Sequence, residues 1–117
     1  MRGGPSLARG DVVLVRFPFT DLSGAKRRPG LVLVDQRGED AILAFVTSRT
    51  AAGGDPAEPV VAPGDPEFAF TGLKTASAVR LYHLATLHRS LITVRVGRIG
   101  PRTMQTVARG LRHLFRL

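Results

Sequence analysis

The 117-residue sequence contains no cysteine, no tryptophan and one tyrosine. The absence of cysteine excludes disulfides, thiolate zinc sites and thiol nucleophiles, and it suits a reduced, cytoplasmic protein. Long apolar runs are also missing, because the longest uncharged one is AILAFV and the first ten residues, MRGGPSLARG, have no apolar stretch of signal-peptide length. We therefore expect a soluble cytoplasmic protein that does not associate with membranes. Its length fits one domain, residues 1–117.

Carboxylates are missing from the second part of the chain. Through Glu67 the sequence has 8 Lys and Arg against 9 Asp and Glu, whereas residues 68–117 have 9 Lys and Arg and no acidic residue. Because these cations have no local carboxylate to pair with, a polyanion such as nucleic acid is the expected partner. The alternative is that the arginine excess, 15 of 17 basic residues, reflects codon usage in a GC-rich genome and aids solubility.

Most of the sequence has the apolar patterns of β-strands. These patterns predict strands at 12–17, 29–34, 41–47, 77–84 and 91–99, with at most a short edge strand at 59–62. The nearly continuous apolar run 41–47 is expected to be buried on both faces. Alternation directs His83 to the core side together with Val79 and Leu81. It also places Ile92, Val94 and Val96 on one shared face.

The last residues change to a helical period. Gly100 and Pro101 form a plausible helix start. Beyond them an apolar stripe consists of Met104, Val107, Ala108, Leu111, Leu114 and Phe115, and a basic face consists of Arg102, Gln105, Arg109, Arg112 and Arg116. Gly110 weakens the helix by about 1 kcal/mol relative to Ala, so packing must hold it. The predicted fold is a small, strongly bent antiparallel β-barrel or half-barrel with one C-terminal helix.

Three segments together carry a family resemblance. They are GDVVLVRFPFTDLSGAKRRPGLVLV, AFVTSR, and SAVRLYHLATLHRSLITVRVGRI followed by the terminal helix. The chain from about Gly10 to Leu117 resembles the MazF/PemK toxins of bacterial toxin–antitoxin systems. The most specific pieces are Gly10-Asp11 before the first strand, Arg28-Pro29 at the second and Thr47 at the end of the third.

This resemblance implies both a fold and an activity. The fold would be an SH3-like antiparallel β-barrel of the PemK/MazF/CcdB type, and the protein would be a homodimer. The activity would be that of a metal-independent endoribonuclease, an mRNA interferase that cuts messenger RNA at short single-stranded sequences. A cognate antitoxin with an acidic, disordered tail would fold along the RNA groove and neutralise the toxin.

Two residues are predicted to be catalytic. RNA is cut without a metal when its own 2′-hydroxyl attacks the adjacent phosphate, which leaves a 2′,3′-cyclic phosphate and a 5′-hydroxyl. Arg28 suits the stabilisation of negative charge on phosphorus, because its planar fork matches phosphate oxygens and keeps its charge. Thr47 matches the active-site threonine of the family, and its hydroxyl is suited to donating to phosphate or orienting the 2′-hydroxyl. Without the resemblance, Thr47 would be an ordinary strand-terminal threonine.

A wider set of residues is predicted to contact the RNA. The cationic hairpin between the first two strands is expected to clamp a single strand, and other residues lie at the ends of the third and fifth strands. The full set is Phe19, Thr20, Ser23, Lys26, Ser48, Arg49, Ser77, Arg80 and Tyr82. Tyr82 stands where some family members have an Asp for acid–base work, and a phenol cannot replace a carboxylate as a base at neutral pH. The general base is therefore unassigned, and His83, His88 and His113 are not selected for it.

Two non-enzymatic functions are weighed against the nuclease. The first is a DNA-gyrase poison on the same fold, but relatives of that kind end in a tryptophan-bearing motif and this chain ends Phe-Arg-Leu. The second is a degenerate, RNA-binding module that has lost its base through Tyr82. Cleavage of RNA in the presence of EDTA distinguishes the nuclease from both.

Overall fold

The computed structural model describes residues 6–16, 27–50 and 54–117. The tip of the predicted cationic hairpin lies outside these ranges. The secondary-structure elements are β1 (Asp11–Val15), β2 (Arg28–Arg37), β3 (Asp40–Thr47), β4 (Val60–Val61), a 3₁₀ turn (Phe68–Thr71), β5 (Ser77–His88), a second 3₁₀ turn (Arg89–Leu91), β6 (Ile92–Arg98) and α1 (Pro101–Phe115). Each predicted strand is present, and the short edge strand predicted at 59–62 is β4.

The six strands form one antiparallel sheet in the order β4-β5-β3-β2-β1-β6. The sheet is curled into a half-barrel, with β4 and β6 as its edge strands within the described part of the chain. The prediction of a mainly β half-barrel with a C-terminal helix is therefore confirmed. Because β3 lies between β2 and β5, the ends of these three strands are neighbours in space.

The sheet buries apolar side chains on both faces. Along β1, for example, Val12 belongs to one hydrophobic cluster and Val13 to the other, as the two-residue period of a strand requires. The same alternation separates Ala44 from Leu43 in β3, which confirms that this strand is buried on both sides. The cluster on the side of Val12 also receives α1 through Val107.

Helix α1 starts at Pro101, as predicted, and is held by two close contacts. Glu67 reaches the first turn, where its carboxylate accepts hydrogen bonds from the backbone N–H groups of Arg102 and Thr103, both at 3.1 Å. Further along, a Cβ on Gly110 would lie 2.3 Å from the backbone oxygen of Pro56. Glycine therefore allows the helix to approach the loop before β4 more closely than any other residue would.

Two expectations about exposed apolar residues were wrong. Phe115 was predicted on the buried stripe of the helix, but at the last helical residue its side chain is 54% exposed. Val94 and Val96 were predicted to share one face with Ile92, yet they are 42% and 36% exposed while Ile92 is buried, and Val94 and Ile92 pair with the successive β1 residues Leu14 and Val15. The reason is that the β1–β6 pairing has two register shifts, and each extra residue reverses the facing of the next one.

Within the described part of the chain, no helix has the length and apolar character needed to cross a lipid bilayer.

Candidate functional site

The two predicted catalytic residues lie at the same end of neighbouring strands. Gly30 of β2 is paired with Phe45 of β3. Arg28 precedes Gly30 by two residues and Thr47 follows Phe45 by two, so antiparallel pairing brings both to one end of the β2–β3 ladder. On the other side of β3, Thr47 is paired with Ala78 of β5. Three strands thus contribute residues to one edge of the half-barrel.

A cavity of about 670 Å³ opens at this edge. Its size is within the usual range for small-ligand pockets. It is lined by Leu14, Arg28, Pro29, Phe45, Val46, Thr47, Ser48, Arg49, Gly72, Leu73, Lys74, Thr75, Ser77, Arg80, His83 and Val96. Both predicted catalytic residues and four of the predicted RNA-binding residues, Ser48, Arg49, Ser77 and Arg80, therefore line one pocket.

The pocket lining is cationic and rich in hydroxyl groups. Arg28, Arg49, Lys74 and Arg80 are its four basic residues, and no Asp or Glu occurs among the described residues that line it. Guanidinium and ammonium groups that converge without carboxylates favour an anionic occupant, and arginine matches phosphate oxygens in particular. The chemistry of the lining is thus that of a phosphate-binding site.

Hydrogen bonds fix two of the hydroxyl groups. The Thr47 Oγ1 accepts a hydrogen bond from the backbone N–H of Arg49 at 3.1 Å. A hydroxyl that accepts in this way still has its own O–H to donate, so Thr47 can serve as a donor towards a bound anion. The Ser77 hydroxyl instead donates to the backbone oxygen of Thr75 at 3.0 Å, which ties the start of β5 to the preceding loop.

The loop that supplies Lys74 and Thr75 was missed by the sequence predictions. It follows the 3₁₀ turn Phe68–Thr71, whose backbone packs against β6. A Cβ on Gly97 would lie 2.3 Å from the Thr71 backbone, and a Cβ on Gly72 would lie 2.2 Å from the Val96 oxygen. These two glycines allow the loop to pack closely against the edge of the sheet. Lys74 therefore reaches the pocket, whose other cations come from strands and strand ends.

Arg80 and Tyr82 are both near Glu58 rather than side by side in the pocket. The Arg80 Nε is buried, lies 3.9 Å from Glu58 Oε1 and has no hydrogen-bond acceptor among the described residues. The Tyr82 hydroxyl donates to Glu58 Oε2 at 2.6 Å, and Tyr82 is not part of the pocket lining. This hydrogen bond, with added contributions from burial and the Glu58 charge, raises the pKa of Tyr82. Tyr82 is therefore even less suited to accept a proton.

The expectation that His83 faces the core was wrong. Its side chain is exposed, lines the pocket and stacks on Phe45 with ring centroids 4.5 Å apart. The cause is an irregularity in the β3–β5 pairing, where Ala44 is opposite Leu84 but Phe45 is opposite Arg80. The extra residues of β5 between these pairs interrupt the alternation from which the core-side orientation was predicted.

Four predicted RNA-binding residues cannot be placed in this site. Phe19, Thr20, Ser23 and Lys26 lie outside the described residues. The described part of the chain also contains no group of three or more His, Cys, Asp or Glu side chains arranged to hold a metal ion.

A family comparison accounts for this arrangement. The family of PemK-like, MazF-like toxins of type II toxin–antitoxin systems matches residues 8–115. The chain belongs to this family. The resemblance stated from the strand-opening and strand-closing motifs is thereby confirmed over nearly the whole sequence. Comparison with curated protein sequences finds no match.

Solved structures of PemK/MazF-like proteins share the fold. An endoribonuclease from a mycobacterial species has a TM-score of 0.71 at 19% identity, covering 99% of this chain and 97% of that chain. A mycobacterial endoribonuclease in complex with its cognate antitoxin has a TM-score of 0.68 at 21% identity, covering 93% and 94%. A chain of the MazE–MazF crystal structure from Deinococcus radiodurans has a TM-score of 0.71 at 26% identity, covering 97% and 99%. The half-barrel with its terminal helix is thus common to this family.

Proposed function

We propose that this family member is a toxin endoribonuclease that cuts single-stranded messenger RNA without a metal ion. The observation that carries the proposal is the pocket itself, in which four cations and the Thr47 hydroxyl converge and no described carboxylate lines the surface. Family membership and the endoribonucleases among its structural relatives support the same activity. A cytoplasmic location is part of the proposal, because messenger RNA is the substrate.

The proposed reaction uses the 2′-hydroxyl of the RNA as its nucleophile. The 2′ oxygen bonds to phosphorus, the bond from phosphorus to the 5′ oxygen breaks, and the products carry a 2′,3′-cyclic phosphate and a 5′-hydroxyl. Negative charge grows on the non-bridging phosphate oxygens in the transition state. Arg28 and the Thr47 hydroxyl are proposed to stabilise this charge, and each such donor typically contributes about 10² to 10³ in rate.

The remaining lining residues are proposed to bind and position the strand. Arg49 and Lys74 are exposed and flank the pocket, so they suit contacts with neighbouring phosphates. Ser48 is exposed and suits hydrogen bonding to a base edge, whereas the buried Ser77, whose hydroxyl donates to Thr75, is proposed to contact RNA only as an acceptor. The hairpin residues outside the described ranges stay predicted contacts, and Tyr82 is proposed to act only at the margin of the site, since its hydroxyl is engaged by Glu58.

The proposed partners follow from the same charges. A structural relative is in complex with its cognate antitoxin, and we propose that an acidic antitoxin tail occupies this pocket and competes with RNA for its cations. The homodimer implied by the family resemblance is also retained as a proposal. Light scattering of the purified protein, with and without antitoxin, tests both associations.

The deciding experiment incubates the purified protein with a mixed-sequence pool of single-stranded RNA in EDTA. We expect fragments whose 3′ ends are 2′,3′-cyclic phosphates and whose 5′ ends are hydroxyls. A DNA pool of matched sequence is the control, because it presents the same phosphates without the attacking 2′-hydroxyl and should be bound but not cut. Retention of RNA without cutting would instead support a non-catalytic RNA-binding module, and inhibition of gyrase supercoiling with intact RNA would support a gyrase poison.

A further inference from the structure

The proposed nuclease lacks an assigned proton acceptor, and the pocket contains a side chain suited to that task. His83 lines the cavity, its ring is exposed, and it shares the lining with Arg28 and Thr47. We infer that His83 is the general base that removes the 2′-hydroxyl proton. The inference rests on the proposed function, since a general base is needed only if the RNA is cut.

The other ionisable groups at the pocket do not fit the role of base. Arginine keeps its proton throughout the physiological range, and lysine ordinarily holds its proton at neutral pH. This excludes the four basic residues of the lining, which are Arg28 of β2, Arg49 just after β3, Lys74 of the loop before β5 and Arg80 of β5. Imidazole side chains can both accept and release a proton near neutral pH. Among the described lining residues, His83 alone is of this type.

Among the described residues, the carboxylate that contacts the pocket residue Arg80 is that of Glu58, and it is already engaged. Glu58 accepts a hydrogen bond from the Tyr82 hydroxyl at 2.6 Å and lies 3.9 Å from the Arg80 Nε, and it is not part of the lining. Tyr82, which occupies the position where some family members have an acid–base Asp, has a raised pKa because of this same bond. The proton acceptor of this chain is therefore one residue further along β5, where the irregular pairing turns His83 towards the pocket.

Phe45 holds the imidazole ring in place. The two rings are nearly parallel, with an interplanar angle of 17° and centroids 4.5 Å apart. Stacking on Phe45 restricts the ring plane and covers a face of the imidazole, whereas both nitrogens lie on its edge. Tyr82, the preceding residue on the same strand, has its ring centroid 6.2 Å from that of His83, so a second aromatic ring lies near the base.

The proton balance of the step is complete with these groups. The 2′-hydroxyl proton passes to a His83 nitrogen as the 2′ oxygen bonds to phosphorus. The bond from phosphorus to the 5′ oxygen breaks, and that oxygen takes a proton from solvent water. His83 then returns its proton to water, and no oxidant, reductant or metal takes part.

The test compares His83→Phe with the parent on the RNA oligonucleotide that the parent cuts fastest from the mixed pool. Phenylalanine keeps a flat ring against Phe45 but cannot take a proton. We expect cleavage to fall by about 10² to 10⁴, the usual range for loss of a general base. The pH–rate profile should also lose the limb in which the rate rises with pH. His113→Phe is the matched control, because His113 is an exposed histidine on α1, and its rate and profile should equal those of the parent.

A second variant separates chemistry from folding. His83→Ala removes the ring, and free imidazole added to the buffer should restore part of its cleavage rate, which a purely structural role would not allow. If the parent cuts RNA and His83→Phe does so equally fast with the same pH profile, the inference is overturned while the proposed function stands. A slow His83→Phe with an unchanged pH profile, together with no imidazole rescue of His83→Ala, also overturns it. If the parent itself cuts no RNA, the proposed function fails first and the role of His83 fails with it.

Discussion

The molecule presents two cationic surfaces that differ in shape and in what accompanies their charge. One is the pocket at the β2–β3–β5 edge, where Arg28, Arg49, Lys74 and Arg80 converge around hydroxyls and an imidazole. The other is the outer face of α1, which carries four exposed arginines, Arg102, Arg109, Arg112 and Arg116. Counted over the residues that the structure describes, each surface has four Lys or Arg side chains, so charge alone does not distinguish a candidate active site from a solvated helix.

The difference lies in convergence and in desolvation. In the pocket, cations from separate elements face one volume, and the half-buried Arg80 has an Nε for which the described residues provide no hydrogen-bond acceptor. On the convex outer face of the helix the four arginines are exposed to solvent, where salt screens them, and the small pocket that Arg102 and Arg109 line also contains the carboxylate of Asp65. Concave cationic sites concentrate their field on one anion, whereas convex ones contribute mainly to long-range attraction. The strongly basic second half of the sequence therefore contributes both long-range attraction of anions and part of the pocket lining.

The largest expected difference in RNA cleavage rate is between a variant that lacks one cation of the pocket and a variant that lacks one cation of the helix. Arg28→Ala is expected to lower the RNA cleavage rate by about 10² to 10³, because a donor to the charged transition state is lost. Arg28→Lys should recover only part of the rate, since lysine keeps the charge but not the planar fork. Single-turnover cleavage at saturating protein measures the effect on the chemical step.

The matched control for Arg28 is Arg112→Ala, which removes an exposed arginine from the helix. We expect its single-turnover rate to equal that of the parent, with only a modest loss of affinity that disappears as salt is raised. If both variants lost cleavage equally, the distinction between the two surfaces would be wrong and net charge would account for the activity.

Much of the pocket, and the strands that carry its residues, could be predicted from the sequence. Alternation and proline placement located the strands, so the convergence of Arg28 with Thr47 followed from simple antiparallel order. Lys74 was missed because its position depends on the close packing of Gly72 and Gly97, which are distant in sequence. His83 was misplaced because a register shift in β5 is a property of two paired strands, and local alternation carries no signal of it.

Gly110→Ala is expected to weaken the packing of α1 against the rest of the protein without changing the pocket. In an exposed helix this change stabilises by about 1 kcal/mol. Here the new Cβ would meet the Pro56 oxygen at 2.3 Å and Leu81 Cδ1 at 2.6 Å, so overpacking should produce a net loss of about 1 to 3 kcal/mol. Urea denaturation measures the loss, and cleavage per folded molecule should be unchanged.

Gly64→Ala controls for the chain-entropy effect of replacing any glycine. A Cβ at Gly64 would meet nothing within 4 Å, so this variant should be neutral or slightly stabilising. An equally stable Gly110→Ala protein would show that α1 is not held by this close approach.

The smallest expected effect is on stability and concerns the contact between Glu67 and the first turn of α1. Glu67 is partly buried, which acts to raise its pKa, but hydrogen bonds from the Thr103 and Arg102 backbone and from the Thr103 hydroxyl outweigh this and hold the pKa below its ordinary value. Because the folded-state pKa is the lower one, the contribution of Glu67 is complete above the unfolded-state pKa. It is lost as pH falls through the folded-state value.

Glu67→Gln should therefore lower the urea midpoint slightly at neutral pH, since the amide lacks the negative charge that favours a helix N-terminus. The gap between parent and variant should close at acid pH, once the pH is below the lowered pKa of Glu67 and the parent carboxylate has also taken up a proton. Glu39→Gln, a change of an exposed carboxylate in the β2–β3 turn, provides the comparison at both pH values. A Glu67→Gln gap that stayed constant with pH would mean that the protonated carboxyl of Glu67 stabilises α1 as well as its carboxylate does, which contradicts the role given to the charge. Cleavage by Glu67→Gln at neutral pH should match the parent in either case, because the start of α1 supports the convex cationic surface and the pocket is built from other elements.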